Sequence, residues 1–178
     1  MAAYSVPSSN KLDKQIVQDL DQTSTTAVHD RGMRVRSTDG KEFVYVYMES
    51  AGVTTYAGRP MVWVDTTGYY VVNADASVGK DTDPMAANGF AGIAASQSVT
   101  DNNMYLWIQT RGWADSVLVS TAVAVNSELV ILDDDALDCV TTYHTSATST
   151  HFRIIGKAMT AAAAGVTSLH STASIILY

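Results

Sequence analysis

The sequence predicts a mainly β protein, an antiparallel β-sandwich or barrel-like body preceded by an extended N-terminal arm. Three observations carry that prediction. Residues 43–48 alternate Phe43, Tyr45 and Tyr47 with Val44, Val46 and Met48, the period of two that sends successive side chains to opposite faces of a strand. Turn chemistry recurs at short intervals, at Asp39-Gly40, Ala57-Gly58, Thr67-Gly68, Asn88-Gly89, Arg111-Gly112 and the run Asp133-Asp134-Asp135, as in sandwiches and barrels. No long stretch between these turns carries an amphipathic helical pattern.

Residues 1–30 read as the arm and residues 31–178 as the β body. Pro7 and the absence of periodicity make the first ten residues extended coil. Leu12, Ile16, Val17 and Leu20 fall at helical spacing and allow one or two helical turns. The Thr-rich run 23–26 ends them, because threonine favours extended or capped conformations. With so few apolar residues, the arm is expected to add little to the body's core; it is either a frayed terminus or a segment that drapes over a neighbouring subunit. Leu12, Ile16 and Leu20 are the contacts it would bury there.

Within the body, strands are expected near 33–37, 42–49, 60–65, 69–73, 89–95, 103–110, 114–119, 128–132, 138–143, 151–158 and 171–178. The alanine run at 161–164 fits a helical turn or a long loop, given Gly165 and the β-branched residues around it. Two stretches are alike. Met61-Val62-Trp63-Val64-Asp65 is followed 27 residues on by Gly92-Ile93-Ala94, and Leu129-Val130-Ile131-Leu132-Asp133 is followed 23 residues on by Gly156-Lys157-Ala158. An internal duplication would divide the body into two similar β units, about 31–98 and 99–178. Chance likeness between Val-rich strands is the competing explanation.

Composition narrows the function. Hydrophobic residues make up 47% of the 178, enough for a core, and charged residues only 16%, against about 25% in ordinary globular chains. A surface so poor in charge suits one partly hidden against other subunits. The net charge of −7 is uneven: residues 1–60 hold seven Lys/Arg and seven Asp/Glu, residues 61–178 four and eleven. A nucleic-acid binder needs a basic face to neutralise phosphates, so direct binding of nucleic acid is not expected. The single cysteine, Cys139, excludes an internal disulfide. No apolar signal segment follows Met1, and the uncharged run 158–178 is broken by seven Ser, Thr and His residues. A soluble protein with no membrane span is expected.

Chemical sites are weak throughout. Asp133, Asp134, Asp135 and Asp138 offer the hard oxygens calcium takes, without calcium-loop spacing, and an acidic turn explains them better. His29, His144, His151 and His170 lack ligand spacing. No Gly-x-Ser-x-Gly elbow is present, and Val78-Gly79-Lys80-Asp81 lacks the first glycine and the Ser/Thr of a phosphate loop. No catalytic residue, metal or cofactor is expected. Aromatic residues are better clues. Tyr105 and Trp107 share one strand face, opposite Met104, Leu106 and Ile108, so both faces are apolar. One face packs the core, and the other meets a second element of the chain or another subunit, where Tyr and Trp are enriched. Trp63, Tyr69, Tyr70 and Trp113 would be the platform of a carbohydrate-binding module, the reading from a different class.

Three segments in order carry a resemblance: Asp39-Gly40-Lys41-Glu42-Phe43 before an aromatic strand; Tyr105-Leu106-Trp107-Ile108-Gln109-Thr110-Arg111-Gly112-Trp113; and Ile155-Gly156-Lys157-Ala158-Met159 leading to the alanine run that ends at Gly165. Together they resemble small head proteins of tailed bacteriophages, including the decoration, or cement, proteins that sit on the capsid. The resemblance spans roughly residues 31–178 and brings no catalytic residues with it. It implies a virion structural protein on the capsid surface, made in the host cytoplasm, with the major capsid protein as partner and a homotrimer as its form. Another virion component, from the tail or from head completion, is the alternative within that class. The candidate contacts are then Leu12, Ile16, Leu20, Tyr105 and Trp107.

The ending Ile175-Ile176-Leu177-Tyr178 reads as a closing strand. Burying a large apolar side chain is worth about 1.5–3 kcal/mol, against a domain stability of about 5–15 kcal/mol. Deleting these four residues is expected to leave an unfolded or insoluble product, checked by soluble yield and a melting curve.

Overall fold

The computed structural model of the chain describes residues 19–48, 57–65, 67, 69–73, 89–95, 103–119, 122–131, 140–142, 154–163 and 171–178. Among them are ten strands and no helix: β1 (Arg34–Arg36), β2 (Glu42–Met48), β3 (Pro60–Asp65), β4 (Tyr70–Asn73), β5 (Phe90–Ala94), β6 (Met104–Val119), β7 (Glu128–Ile131), β8 (Val140–Thr142), β9 (Ile154–Ala158) and β10 (Ser171–Leu177). The protein is mainly antiparallel β, as its alternation and turns predict. Two neighbouring pairs, β2–β4 and β6–β8, are parallel. The helical turns allowed for residues 11–20 lie largely outside the described residues. So do the turn at 133–135 and the end of the alanine run, while Ala162 pairs in an isolated bridge with Val123.

Strand pairing closes two rings that share β6. In the first ring β2 neighbours β4, β4 neighbours β3, β3 neighbours β5, β5 neighbours β6, and β6 returns to β2. In the second ring β6 neighbours β8, β8 neighbours β7, β7 neighbours β9, β9 neighbours β10, and β10 returns to β6. Numbered along the chain within each ring, the pattern is identical: the first strand pairs parallel with the third and antiparallel with the fifth. The two like stretches in the sequence, 61–65 with 92–94 and 129–133 with 156–158, begin on the second strand and end on the fourth in their respective rings. The changeover from one ring to the next falls inside β6, not between residues 98 and 99.

Arg111-Gly112 is therefore no turn between two strands. β6 runs unbroken through it and bends. Glu42 pairs with Arg111 and Phe43 with Gln109, so Thr110 is an extra residue, the mark of a β-bulge. Further along, Ala173 pairs with Val117 and Ile175 with Ala114, which leaves one extra residue in β6 where Ser116 takes a φ of 60°. At the first bend Gly112 has a φ of 87°, and a Cβ there would lie 3.0 Å from the Gly40 carbonyl oxygen. Only glycine meets both demands without strain. The freed backbone is satisfied by a buried side chain. The Gln109 amide Nε2 donates to the carbonyls of Arg111 at 3.1 Å and Trp113 at 2.9 Å, and Gln109 is one of three buried polar or charged residues identified among those described.

The second bend meets the turn before β3. Gly58 donates its N–H to Ala94 and accepts from Leu118, and a Cβ on it would sit 2.1 Å from the Ser116 carbonyl oxygen. This close approach clamps the first ring against the second. Val62 and Ile93, on strands of the first ring, pack into the core of the second beside Val117, Leu129, Ile155, Ile175 and Leu177. The first ring's own interior holds Val44, Val46, Met48, Met61, Val71, Leu106 and Ile108. A third cluster lies outside that ring: Phe43, Tyr45 and Trp107 with Leu20, Val35 and Ala95. Both faces of β2 and of the first half of β6 are thus covered, and strands covered on both sides read as near-continuous apolar runs.

That third cluster changes the standing of the arm. Leu20 is only 3% exposed and belongs to it, and Ser24 bridges to Tyr105 through two backbone hydrogen bonds. Residues 19–30 cover the aromatic face of the chain's own β2 and β6, because Phe43, Tyr45 and Trp107 present more apolar area than β1 alone can bury. At least this part of the arm belongs to the body.

Replacing Gln109 by leucine is expected to strand the two carbonyls it serves and to cost about 1–3 kcal/mol. For a domain of this size that is a fall of roughly 2–4 °C in melting temperature per kcal/mol, read by thermal denaturation.

Candidate interaction surface

The five candidate contact residues divide three ways. Leu12 and Ile16 lie outside the described residues. Leu20 and Trp107, 3% and 0% exposed, are spent inside the chain's own third cluster and have no surface left for another subunit. Tyr105 is half-buried, packed against that cluster's edge. The apolar outer face of Tyr105 and Trp107 thus meets a second element of the same chain.

Its covering is aromatic and partly polar. His29 lies edge-on to Tyr45, with ring centres 5.2 Å apart, and 5.4 Å from Trp107. Tyr45 stacks on Tyr105 at 5.9 Å, and Tyr105 meets Tyr47 at 4.9 Å. The Val28 N–H donates to the Tyr45 hydroxyl at 3.3 Å. Burial lowers the pKa of His29, with Asp30 acting weakly against it. Burial also raises the Tyr45 phenol, opposed by that backbone hydrogen bond. The Trp107 indole Nε1 is buried, with no hydrogen-bond partner among the described residues.

A second arrangement lies where the β1–β2 turn meets the bends of β6. Lys41 is 9% exposed, and its Nζ stands 3.4 Å from both Asp39 Oδ2 and Asp115 Oδ2. Ser37 donates its hydroxyl to Asp39. Partial burial works to raise the Asp39 carboxyl, but the Ser37 hydroxyl and Lys41 outweigh it, and its pKa is lowered. Asp115 accepts from the indole N–H of Trp113. The chain Lys41–Asp115–Trp113 fixes an indole that is itself 39% exposed. Sequence reasoning missed this set because Lys41 and Asp115 lie 74 residues apart and no periodic pattern links them.

Trp113 begins a row across the outer face of the second ring. It pairs with Ile176, Ile176 with Lys157, and Lys157 with Glu128. Ile176 is 37% exposed, and Tyr178, just past the end of β10, is 66% exposed. Arg111, Asp115 and Glu128 are exposed around them. The described members of the carbohydrate platform fall on different rings. Trp63 and Tyr69 pack edge-on at 6.1 Å against the first ring's core, while Trp113 stands beside Ile176 on the second ring, and the Tyr70 side chain lies outside the described residues.

Of the histidines, only His29 is described, and Asp133, Asp134, Asp135, Asp138 and the 78–81 segment are not. Among the described residues no group of three or more His, Cys, Asp or Glu could hold a metal ion. What the described side chains offer is contact surface.

No protein family matches this chain, and no curated protein matches it. Among solved structures it is similar to the head fiber gp8.5 N base of bacteriophage phi29. The likeness covers 76% of this chain and 94% of that one, at 10% identity and a TM-score of 0.45. A score of that size at that identity does not establish a shared fold.

The lowered pKa of His29 has a definite sign. The folded protein releases this proton more readily than the unfolded chain, so the unfolded state binds more protons and stability rises with pH in that window. The melting temperature is expected to fall as pH drops through the ordinary histidine value of 6.5. His29→Phe should lose that part of the pH dependence, seen by comparing melting curves of the two proteins across the window.

Proposed function

We propose that this chain is a structural component of a tailed-phage head, a decoration protein that binds the major capsid protein as an oligomer. The observation that carries the reading is the ordered resemblance of the segments 39–43, 105–113 and 155–165 to small phage head proteins. Their positions in the fold fit a framework role. The first two segments pair directly, Glu42 with Arg111 and Phe43 with Gln109. The third supplies Ile155 and Ala158 to the second ring's core.

The mechanism is mechanical. Each copy bridges neighbouring capsid subunits, and repetition over the shell multiplies modest contacts into high avidity. A trimer fits such a role, because closed symmetry lets one surface serve every copy. The acidic excess of residues 61–178 suits an outer surface better than one facing packaged nucleic acid. The reading assigns the chain no catalysis, no cofactor and no membrane contact.

The test is co-sedimentation with purified capsids, together with the copy number per virion. Saturable binding at many copies per shell is the expected result. A few copies per particle would point to a tail or head-completion component, and no binding would overturn the reading.

A further inference from the structure

The repeated pairing pattern makes the two rings comparable face by face. In the first ring, the outer face of the first and fifth strands, β2 and β6, carries Phe43, Tyr45, Tyr105 and Trp107, and residues 19–35 of the same chain cover it. In the second ring the corresponding strands are the far half of β6 and β10, whose outer face carries Trp113 and Ile176, with Tyr178 just past the end of β10. Among the described residues no segment plays the same part there, and the chain entering the second ring's first strand is already β6 of the first ring. The three residues stay 39%, 37% and 66% exposed.

From this we infer that the outer face of β6 and β10, centred on Trp113 and Ile176, is the surface on which a second copy of this chain docks. Charge complementarity selects that occupant. The apolar centre is flanked by two cations, Arg111 and Lys157, and two anions, Asp115 and Glu128, in one small area. Such a balanced rim can pair with itself in a symmetric contact, whereas a strongly acidic or basic partner would meet repulsion from half of it. The Trp113 indole is held in place by Asp115, and Asp115 by Lys41. The side chain with most to contribute therefore loses little freedom on docking. The row from Trp113 to Glu128 crosses four strands at about 4.8 Å spacing. It forms the centre of an interface, whose full extent needs about 800 Å² per partner.

A face that pairs with itself makes a two-fold contact, so this surface joins copies in pairs. This contact rests on the oligomeric reading of the proposed function, and not on its trimer or on capsid binding. Sedimentation of the full chain with Trp113→Thr and Ile176→Thr variants tests it, with far-UV circular dichroism to verify folding. The wild type should self-associate, and each folded variant should dissociate at concentrations about tenfold or more higher, as loss of a central anchor does. If a variant fails to fold, oxidative footprinting of wild-type Trp113 replaces it, and protection that grows with protein concentration is expected. A monomeric wild type, folded variants that associate undiminished, or a Trp113 whose reactivity ignores concentration would each overturn the inference. Self-association lost in the variants of a protein that never binds capsids would sink the phage-head reading and leave this one standing.

Discussion

One strand has to serve two closed rings, and the rest of the molecule is arranged around that demand. β6 supplies the last strand of the first ring and the first strand of the second. A straight strand cannot follow two closed surfaces, so β6 gains an extra residue in each half, at Thr110 and beside Ser116. Bending a strand orphans backbone groups, and a buried carbonyl left unpaired costs about as much as a lost hydrogen bond. Gln109 removes that cost at the first bend, and the Gly58 turn braces the second.

The bends also explain where the polar side chains sit. Lys41 is buried at the point where the β1–β2 turn crosses the first bend, between Asp39 and Asp115. Both carboxylates are more than half exposed, so the pairs add little energy in water. Their effect is orientation: they hold the turn against β6 and fix the Trp113 indole. The buried aromatic face and the exposed one differ for a reason of connectivity. Chain was available before the first ring to cover Tyr45 and Trp107, whereas the chain that leads into the second ring's first strand is the first ring itself.

Local chemistry made most of the strands readable in the sequence. The alternation at 43–48 and the glycine turns at Gly40, Gly58 and Gly89, all with positive φ, are decided by neighbours along the chain. Gly112 carried the same signal and misled, because a positive-φ glycine marks a bulge as readily as a turn. Register and ring closure depend on residues far apart, which periodicity cannot see. Two of the contact residues, Leu20 and Trp107, proved to be buried for a related reason. An aromatic strand with two apolar faces looks the same whether the second face meets another subunit or the chain's own beginning. Leu20 and Trp107 belong to the latter case. Trp113 was noticed beside its glycine but set among the wrong partners, since its pairing with Ile176 spans most of the second half of the chain.

The shared strand also imposes an order on synthesis. The first ring has all its strands once Arg111 has been made, so it can close while the rest of the chain is still being translated. The second half of β6 then projects from that unit with the edge that β10 will cover still unpaired, while its other side meets only the Gly58 turn and, at Val119, β8. An exposed edge of this kind recruits whatever strand is nearest. In a cell making many copies at once, the nearest strand belongs to another nascent chain. The time this edge spends open, from the making of β6 to the making of β10, is thus set by the length of chain between them and not by the stability of the finished protein.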